Sequence, residues 1–187
     1  MFREDIEKSL EILNRGGVIL YPTDTVWGIC CEATNPTAVE RIFTIKRRNE
    51  AQAMLTLVDG FDMLATYVED IPDIAVRLMK ETAEPLTMIY PKAKNLPVNL
   101  IADDGSIGIR IVCEPFCLQL IREFGKPIVS TSANISGKST PAIFNDISEE
   151  IKASVDYIVS WRQNDLQSTT ASAIIQLKED GSFKRLR

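Results

Sequence analysis

The chain has 187 residues, of which 45% are hydrophobic and 25% charged, and its formal net charge is −5. These values are ordinary for a soluble globular protein and predict a single domain over 1–187 with a substantial buried core. The acidic balance argues against a protein that coats nucleic acid over its whole surface, although the 21 Lys and Arg residues leave room for a local basic cleft.

Targeting and metal-binding signals are missing from the sequence. The first residues contain no apolar signal-peptide core, and no apolar run approaches the roughly 20 residues of a membrane helix. A cytoplasmic protein with no membrane partner is therefore expected. The chain has four cysteines and no histidine, and no C-x-x-C pair, so a zinc site is not expected.

Apolar periodicity and turn residues divide the chain into alternating helices and strands. The clearest start signal is Asn35 followed by Pro36, an N-cap with proline in the first helical turn. Pro22 interrupts an otherwise apolar strand, which we expect to continue after it. The alternation predicts an α/β fold, a mixed sheet covered by helices. In chain order, the sequence predicts helix 5–14, strand 18–21 continued by 26–30, helix 36–48, strand 54–58, helix 72–81, strands 86–90 and 107–112, helix 115–124, strand 128–130, helix 147–153, and strands 157–159, 173–177 and 183–186.

The predicted helix 36–48 ends in three consecutive cations, Lys46, Arg47 and Arg48. At 100° per residue, Lys46 falls near the centre of the apolar face of this helix. A lysine in that position must either reach out at the helix end or point into a cleft. Cations near a helix C-terminus are favourable by roughly 0.3–1 kcal/mol, so a structural and a functional role are both open.

Short polar side chains follow the buried strand 128–130, in the run Ser130, Thr131, Ser132, Ala133 and Asn134. Loops at strand ends of α/β sheets commonly bind ligands, whereas Ser, Thr and Asn are also ordinary turn formers. Fixed cations that face such a loop would hold phosphates. The sequence has no G-x-x-x-x-G-K-[ST] loop and no imidazole, so it predicts phosphate handling by positioning.

Two further segments carry candidate polar groups. Arg110 lies in the apolar strand 107–111, where a buried arginine needs a partner and could fork onto a ligand carboxylate. The alternative is an alternating strand with Arg110 on a solvated face. Residues 21–25 combine a proline with two threonines and an aspartate, and a plain bulge or edge kink is the alternative there.

Four of these segments together match the motifs of one family. Residues 21–28 resemble Y-P-T-x-T-[VY]-[YW]-G, and 46–48 resemble K-x-R. Residues 132–137 resemble S-x-N followed by hydrophobic-S-G, and 108–110 resemble G-[VI]-R. Order and spacing hold from about residue 9 to residue 187. The chain resembles a YrdC-like threonylcarbamoyl-AMP synthase of the short, single-domain form.

The resemblance implies a YrdC-like twisted open mixed sheet flanked by helices, with a central positively charged cleft. It implies a nucleotidyltransferase that condenses L-threonine, bicarbonate and ATP to threonylcarbamoyl-adenylate and pyrophosphate, for threonylcarbamoyladenosine formation in tRNA. Downstream threonylcarbamoyl-transfer proteins are expected partners, and tRNA or double-stranded RNA is a further candidate. Mg²⁺ is expected as the cofactor, carried mainly by the phosphates of ATP rather than by a protein metal site.

The same resemblance assigns the site residues in two groups. The threonine side would consist of Thr23, Arg110, Ser130 and Ser172. The nucleotide and phosphate side would consist of Lys46, Arg48, Ser106, Ser132, Asn134, Thr140 and Arg187. Within this second group, the expected catalytic residues are Lys46, Arg48, Ser132 and Asn134.

The sequence also departs from the family pattern. A histidine frequent in the strand after K-x-R is missing here, with Thr56 and Leu57 in that region. The polar segment 162–172, a candidate mobile loop, aligns loosely. Two alternatives to the synthase stay open. One is a carbamoyl-adenylating relative that works on carbamoyl phosphate in hydrogenase maturation. The other is a non-catalytic RNA-binding module, whose signature would be salt-sensitive RNA binding.

Overall fold

Helices and strands alternate along the chain. The computed structural model describes residues 2–48, 54–166 and 171–187. Within these ranges the helices are α1 (Arg3–Asn14), α2 (Pro36–Lys46), α3 (Phe61–Tyr67), α4 (Asp73–Glu81), α5 (Pro115–Phe124) and α6 (Glu149–Ser154). The strands are β1 (Ile19–Tyr21), β2 (Gly28–Glu32), β3 (Leu55–Val58), β4 (Leu86–Tyr90), β5 (Ile107–Ile111), β6 (Ile128–Ser132), β7 (Tyr157–Ile158), β8 (Ala173–Leu177) and β9 (Phe183–Arg185).

The described strands form one sheet in the order β7-β1-β2-β6-β3-β5-β4-β8-β9. The pairs β7–β1, β3–β5 and β4–β8 are parallel. The other five pairs are antiparallel. The predicted α/β fold with a mixed sheet is therefore confirmed.

Helices cover both faces of this sheet. Successive strand residues point to opposite faces. In β1, Leu20 belongs to one buried cluster, whereas Ile19 and Tyr21 belong to another. The cluster around Leu20 contains apolar residues of α2, α3, α4 and α6, and the cluster around Tyr21 contains those of α1 and α5. Two helical layers thus enclose the strands that carry the site.

The start and the end of α2 follow from its sequence. The Asn35 side chain accepts hydrogen bonds from the N–H groups of Thr37 and Ala38, and Pro36 occupies the first turn. This is the predicted N-cap. The helix ends at Lys46 because Arg47 adopts a left-handed conformation, with φ +50°. Arg48 is thereby turned out of the helix axis.

Three details differ from the sequence-based expectation. The apolar stretch around Pro22 is not one interrupted strand, because β1 and β2 pair antiparallel around the turn 22–27. Strand β6 continues two residues beyond the predicted end at Ser130, so Thr131 and Ser132 belong to a strand rather than to a loop. Helix α3 was not predicted, and its only buried residue is Leu64.

Two further expectations concern the loop 162–172 and a helix that spans a membrane. Residues 167–170 of the candidate mobile loop 162–172 lie outside the described residues, and the mobility of that loop stays a prediction. No helix in the described ranges is long and apolar enough to cross a membrane.

Asp5 on α1 anchors the segment that follows β7. Its carboxylate accepts hydrogen bonds from the Tyr157 hydroxyl, from the Ser160 N–H and hydroxyl, and from the Trp161 N–H at 3.0 Å. Burial by itself would raise the pKa of Asp5, but the hydrogen bonds from Tyr157 and Ser160 outweigh it and lower the pKa. The ionised carboxylate therefore stabilises the fold.

Replacing this carboxylate should destabilise the protein in a pH-dependent way. In Asp5→Asn, a side-chain N–H₂ donor replaces one of the two acceptor oxygens and faces the donors of Tyr157, Ser160 and Trp161. Hydrogen bonds to a charged group contribute about 1.5–3 kcal/mol, and this contribution is lost. Because the folded-state pKa of Asp5 is lowered, its contribution is present above the ordinary aspartate pKa and is lost as pH falls through the folded value. Urea unfolding should show the deficit at about pH 7 and a smaller one at about pH 3.

The matched control is Glu4→Gln, on the same helix turn. Glu4 makes an exposed ion pair with Lys8, so its loss should change the free energy of unfolding by less than about 0.5 kcal/mol. Equal stability of Asp5→Asn and Glu4→Gln would contradict the anchoring role.

Candidate functional site

A cavity of 280 Å³ lies at one end of the central strands. Eight of the eleven predicted site residues line it: Thr23, Arg48, Arg110, Ser130, Ser132, Thr140, Ser172 and Arg187. The lining among described residues does not include the other three, Lys46, Ser106 and Asn134. Residues assigned to threonine and to phosphate thus share one cavity. Three arginines line it, while the positive charge of the whole cleft stays a prediction.

The turn between β1 and β2 is closed by a threonine hydroxyl. Thr23 Oγ1 donates to the Val26 carbonyl at 2.7 Å and accepts from the Thr25 N–H at 3.0 Å. Its third contact is the Thr25 hydroxyl, also at 3.0 Å. Because the single proton of Thr23 is given to Val26, the Thr25 hydroxyl must be the donor in this contact. The turn presents Thr23, Thr25 and Val26 to the cavity.

Arg110 is buried in β5 and is paired with a residue of this turn. Its side chain is 3% exposed, and Nη2 lies 3.0 Å from Asp24 Oδ1. Arg110 therefore does not lie on a solvated face, which was the alternative for this strand. Among the described residues, Arg110 Nε has no hydrogen-bond partner. Asp24 holds one side of the guanidinium while this buried N–H leaves a donor for a ligand.

Ser130 in β6 and Ser172 just before β8 complete this side of the cavity. Tyr21 donates its hydroxyl proton to Ser130 Oγ at 2.6 Å, and burial raises the pKa of Tyr21 well above its ordinary value. Ser172 Oγ lies 2.8 Å from Thr87 Oγ1. The Ser172 carbonyl accepts from Arg187 Nε at 2.9 Å, which joins a serine assigned to threonine to an arginine assigned to phosphate. Buried protein partners thus orient both serines.

Lys46 neither reaches solvent nor lines the cavity. It is 2% exposed, and Nζ donates to the carbonyls of Ser132 at 2.6 Å and of Asn134 at 2.7 Å. The Lys46 carbonyl in turn accepts from the Ser136 N–H. Burial, and secondly the charge of Arg48, lowers the pKa of Lys46 to about 8. Lys46 therefore ties the end of α2 to the chain after β6, while its predicted phosphate contact stays a prediction.

Asn134 shapes the same loop. Its side-chain N–H₂ donates to the carbonyls of Ile135 at 3.1 Å and Lys138 at 2.7 Å, which fixes the orientation of the amide. Oδ1 is buried and has no partner in the described part of the chain. Ser106 lies just before β5, where its N–H donates to Asp104 Oδ1. The nucleotide-binding roles of Asn134 and Ser106 stay predictions.

Sequence reasoning missed several residues of the lining. Thr25, Val26 and Gly28 belong to the segment 21–28 that carried the family resemblance, so a signal for them existed. A Cβ at Gly28 would lie 3.1 Å from the Thr131 carbonyl oxygen and 3.3 Å from Ser130 Oγ, so only glycine leaves these contacts undisturbed. Thr131 belongs to the polar run 130–134, which also carried a signal. The sequence carries no binding signal for the remaining lining residues, Met54, Leu55 and Ala171.

The comparisons with known proteins agree with this architecture. The Sua5/YciO/YrdC family model, described as "Telomere recombination", matches residues 11–187, and the chain belongs to this family. It is 35% identical over 157 residues to the threonylcarbamoyl-AMP synthase of Pseudoalteromonas translucida, covering 82% of this chain and 84% of that protein.

Two solved structures are similar over almost the whole chain. E. coli YciO has a TM-score of 0.84 at 28% identity and covers 98% of this chain and 88% of its own. P. abyssi Sua5 complexed with L-threonine has a TM-score of 0.87 at 27% identity and covers 98% of this chain. This chain spans only 54% of that Sua5 chain.

The contacts of Lys46 predict a structural cost for its removal. Lys46→Met keeps the apolar stem but removes the ammonium donor of both carbonyls. The Ser132 carbonyl still accepts from the Asn134 N–H, so the main cost falls on the Asn134 carbonyl, at about 1–3 kcal/mol for a group left without its donor. Burial lowers the pKa of Lys46 from 10.5 to about 8 in the folded state. Between pH 8 and 10.5 the unfolded chain therefore binds more protons, and the free energy of unfolding of the wild type should increase relative to the variant as the pH rises. Urea unfolding across this range measures both effects.

Arg47→Ala is the matched control for Lys46→Met. The Arg47 guanidinium pairs with Glu150 on the surface, and such exposed pairs contribute about 0–1 kcal/mol. A Lys46→Met protein as stable as Arg47→Ala at every pH would show that the two carbonyls do not depend on the ammonium.

Proposed function

We propose that this protein is a threonylcarbamoyl-AMP synthase, which joins L-threonine, bicarbonate and ATP into threonylcarbamoyl-adenylate and releases pyrophosphate. The observation that supports this most strongly is the shared cavity. A buried arginine suited to an amino-acid carboxylate and the arginines assigned to phosphate line the same 280 Å³. The name of the Pseudoalteromonas relative and the threonine complex of P. abyssi Sua5 support threonine and an adenine nucleotide as substrates.

The proposed reaction suits a site without histidine. The amine of threonine adds to bicarbonate with loss of water to give a carbamate, whose oxygen is already anionic. That oxygen attacks the α-phosphorus of MgATP, an O–P bond forms, and the bond to the bridging oxygen breaks so that pyrophosphate leaves. The chain has to align the two substrates and neutralise charge on the phosphate oxygens.

The cavity residues divide this work by their chemistry. Arg110, held by Asp24, would take the carboxylate of threonine through its remaining N–H groups. Arg48 and Arg187 would neutralise phosphate oxygens, and Ser132 and Thr140 would donate hydrogen bonds to them. Lys46 would keep the end of β6 and its loop in position and, with its third N–H, reach toward phosphate. We propose Mg²⁺ as part of the nucleotide substrate.

The cellular setting belongs to the same proposal. Threonylcarbamoyl-adenylate is an activated acyl donor, so proteins that transfer threonylcarbamoyl to tRNA adenosine are the proposed partners, and tRNA or double-stranded RNA is a candidate ligand. The four cysteines are free thiols, which suits a reducing cytoplasm.

Pyrophosphate release with each substrate omitted in turn tests the activity. We expect release only when threonine, bicarbonate and MgATP are all present. Release that requires carbamoyl phosphate in place of threonine and bicarbonate would support the carbamoyl-adenylating alternative. Salt-sensitive RNA binding without any pyrophosphate release would support the RNA-binding module.

Arg110→Lys tests the assignment of the threonine side. Lysine keeps a positive charge near Asp24 but loses the planar fork and its Nε–H. Loss of a hydrogen bond to a charged group costs about 1.5–3 kcal/mol, so KM for threonine should rise roughly ten- to a hundredfold. KM for ATP should change little. Steady-state kinetics with threonine or ATP varied in turn measures both KM values. A rise in KM for ATP without a rise in KM for threonine would contradict the assignment.

A further inference from the structure

Arg162 lies outside the predicted site, yet its guanidinium contacts the turn that carries Thr23. Nη1 donates to the Thr23 carbonyl at 3.0 Å. Nε donates to Asp165 at 2.6 Å, and Nη1 also lies 3.9 Å from Glu114 Oε1. Two carboxylates therefore hold the guanidinium, and one of its N–H groups is directed at the backbone of the cavity turn.

The backbone of Arg162 is in an unusual conformation. Its φ is +66°, in the left-handed region that glycine and asparagine occupy far more readily than arginine does. A non-glycine residue persists there when its surroundings fix it, and such residues concentrate at functional sites. The side chain supplies such a constraint here through its contacts to the Thr23 carbonyl and to Asp165.

The segment just before Arg162 is fixed from the opposite side. The Asp5 carboxylate accepts from the N–H groups of Ser160 and Trp161. Arg162 is thus attached to α1 through the preceding backbone and to the cavity turn through its side chain. A displacement of Arg162 would have to break contacts on both sides.

We propose that Arg162 is a positioning residue for the amino-acid substrate. By holding the Thr23 carbonyl, it fixes the turn whose next residue, Asp24, pairs with Arg110. The turn also contributes Thr23 and Thr25 to the lining of the cavity. The inference deepens the proposed function and rests on it for the identity of the substrate, whereas the support of the turn by Arg162 is independent of that function.

Arg162→Gly separates this role from a general structural one. Glycine adopts φ +66° without strain, so the melting temperature should stay near that of the wild type. The Thr23 carbonyl loses its charged donor, and KM for threonine should rise roughly tenfold or more, with KM for MgATP within about threefold. Arg162→Lys keeps one cationic donor, so its KM for threonine should lie between those of the wild type and Arg162→Gly.

A ligand-free measurement accompanies the kinetics. The Thr25 N–H donates to Thr23 Oγ1, so its hydrogen exchange reports on the turn itself. In Arg162→Gly this exchange should be roughly tenfold faster or more. The Ala33 N–H, which donates to the Pro127 carbonyl beyond the far end of β2, should exchange as in the wild type.

Asn95→Gly is the matched control. Asn95 is also left-handed, with φ +57°, and its side-chain N–H₂ donates to the backbone carbonyl of Thr66. The Asn95→Gly variant should have the same KM for threonine and the same Thr25 hydrogen exchange as the wild type. Unchanged Thr25 exchange in Arg162→Gly would overturn the proposal. If the wild type does not use threonine but Thr25 exchange is still faster in Arg162→Gly, the positioning of the turn is supported and the proposed function is refuted.

Discussion

The side of the cavity assigned to phosphate depends on a buried ammonium that two main-chain carbonyls hold. Taking a cation out of water costs several kcal/mol, and short charge-assisted hydrogen bonds from Lys46 to Ser132 and Asn134 offset part of this cost. The remaining cost is seen in the pKa of Lys46, which burial lowers to about 8. The bonds join residues 86 and 88 positions apart in sequence. They fix the end of α2 against the end of β6, so the K-x-R and S-x-N motifs form one structural unit. Arg48 lines the cavity two residues after this junction.

The carboxylate partner of Arg110 shapes how this arginine can bind a ligand. Asp24 Oδ1 lies 3.0 Å from Arg110 Nη2 and neutralises part of its charge. A partly neutralised arginine gives direction more than attraction, because its planar fork must match the carboxylate plane. The pairing with Asp24 therefore favours one orientation of a ligand carboxylate at Arg110, which lines the same cavity as Arg48 and Arg187.

Sequence patterns predicted the features that periodicity and capping control. The start of α2 followed from Asn35 and Pro36. The angle of Lys46 on the helix predicted its core-facing position, but the side chain neither reaches solvent nor lines the cavity, which were the two outcomes expected there. The acceptors of Lys46 could not be predicted, since every residue has a carbonyl and only the pairing of distant segments brings two of them together. Likewise, polar residues 131 and 132 suggested a loop, but their pairing with β2 extends the strand. Arg162 had no signal at all, because left-handed backbone and a distant carbonyl leave no pattern in one sequence.

Hydrogen-bond directions decide which hydroxyls of the cavity turn a ligand can use. Thr23 Oγ1 gives its proton to Val26 and accepts twice from Thr25, which uses its one donor and both lone pairs. Thr25, as the donor in their shared contact, keeps both lone pairs as acceptors toward the cavity. Ser130 accepts from Tyr21 and retains a proton to donate. An amine or carbamate N–H therefore matches Thr25, and a carboxylate or hydroxyl oxygen matches Ser130. In this arrangement Thr23 acts by holding Thr25, which makes the backbone support of the turn as consequential for binding as the side chains that line it.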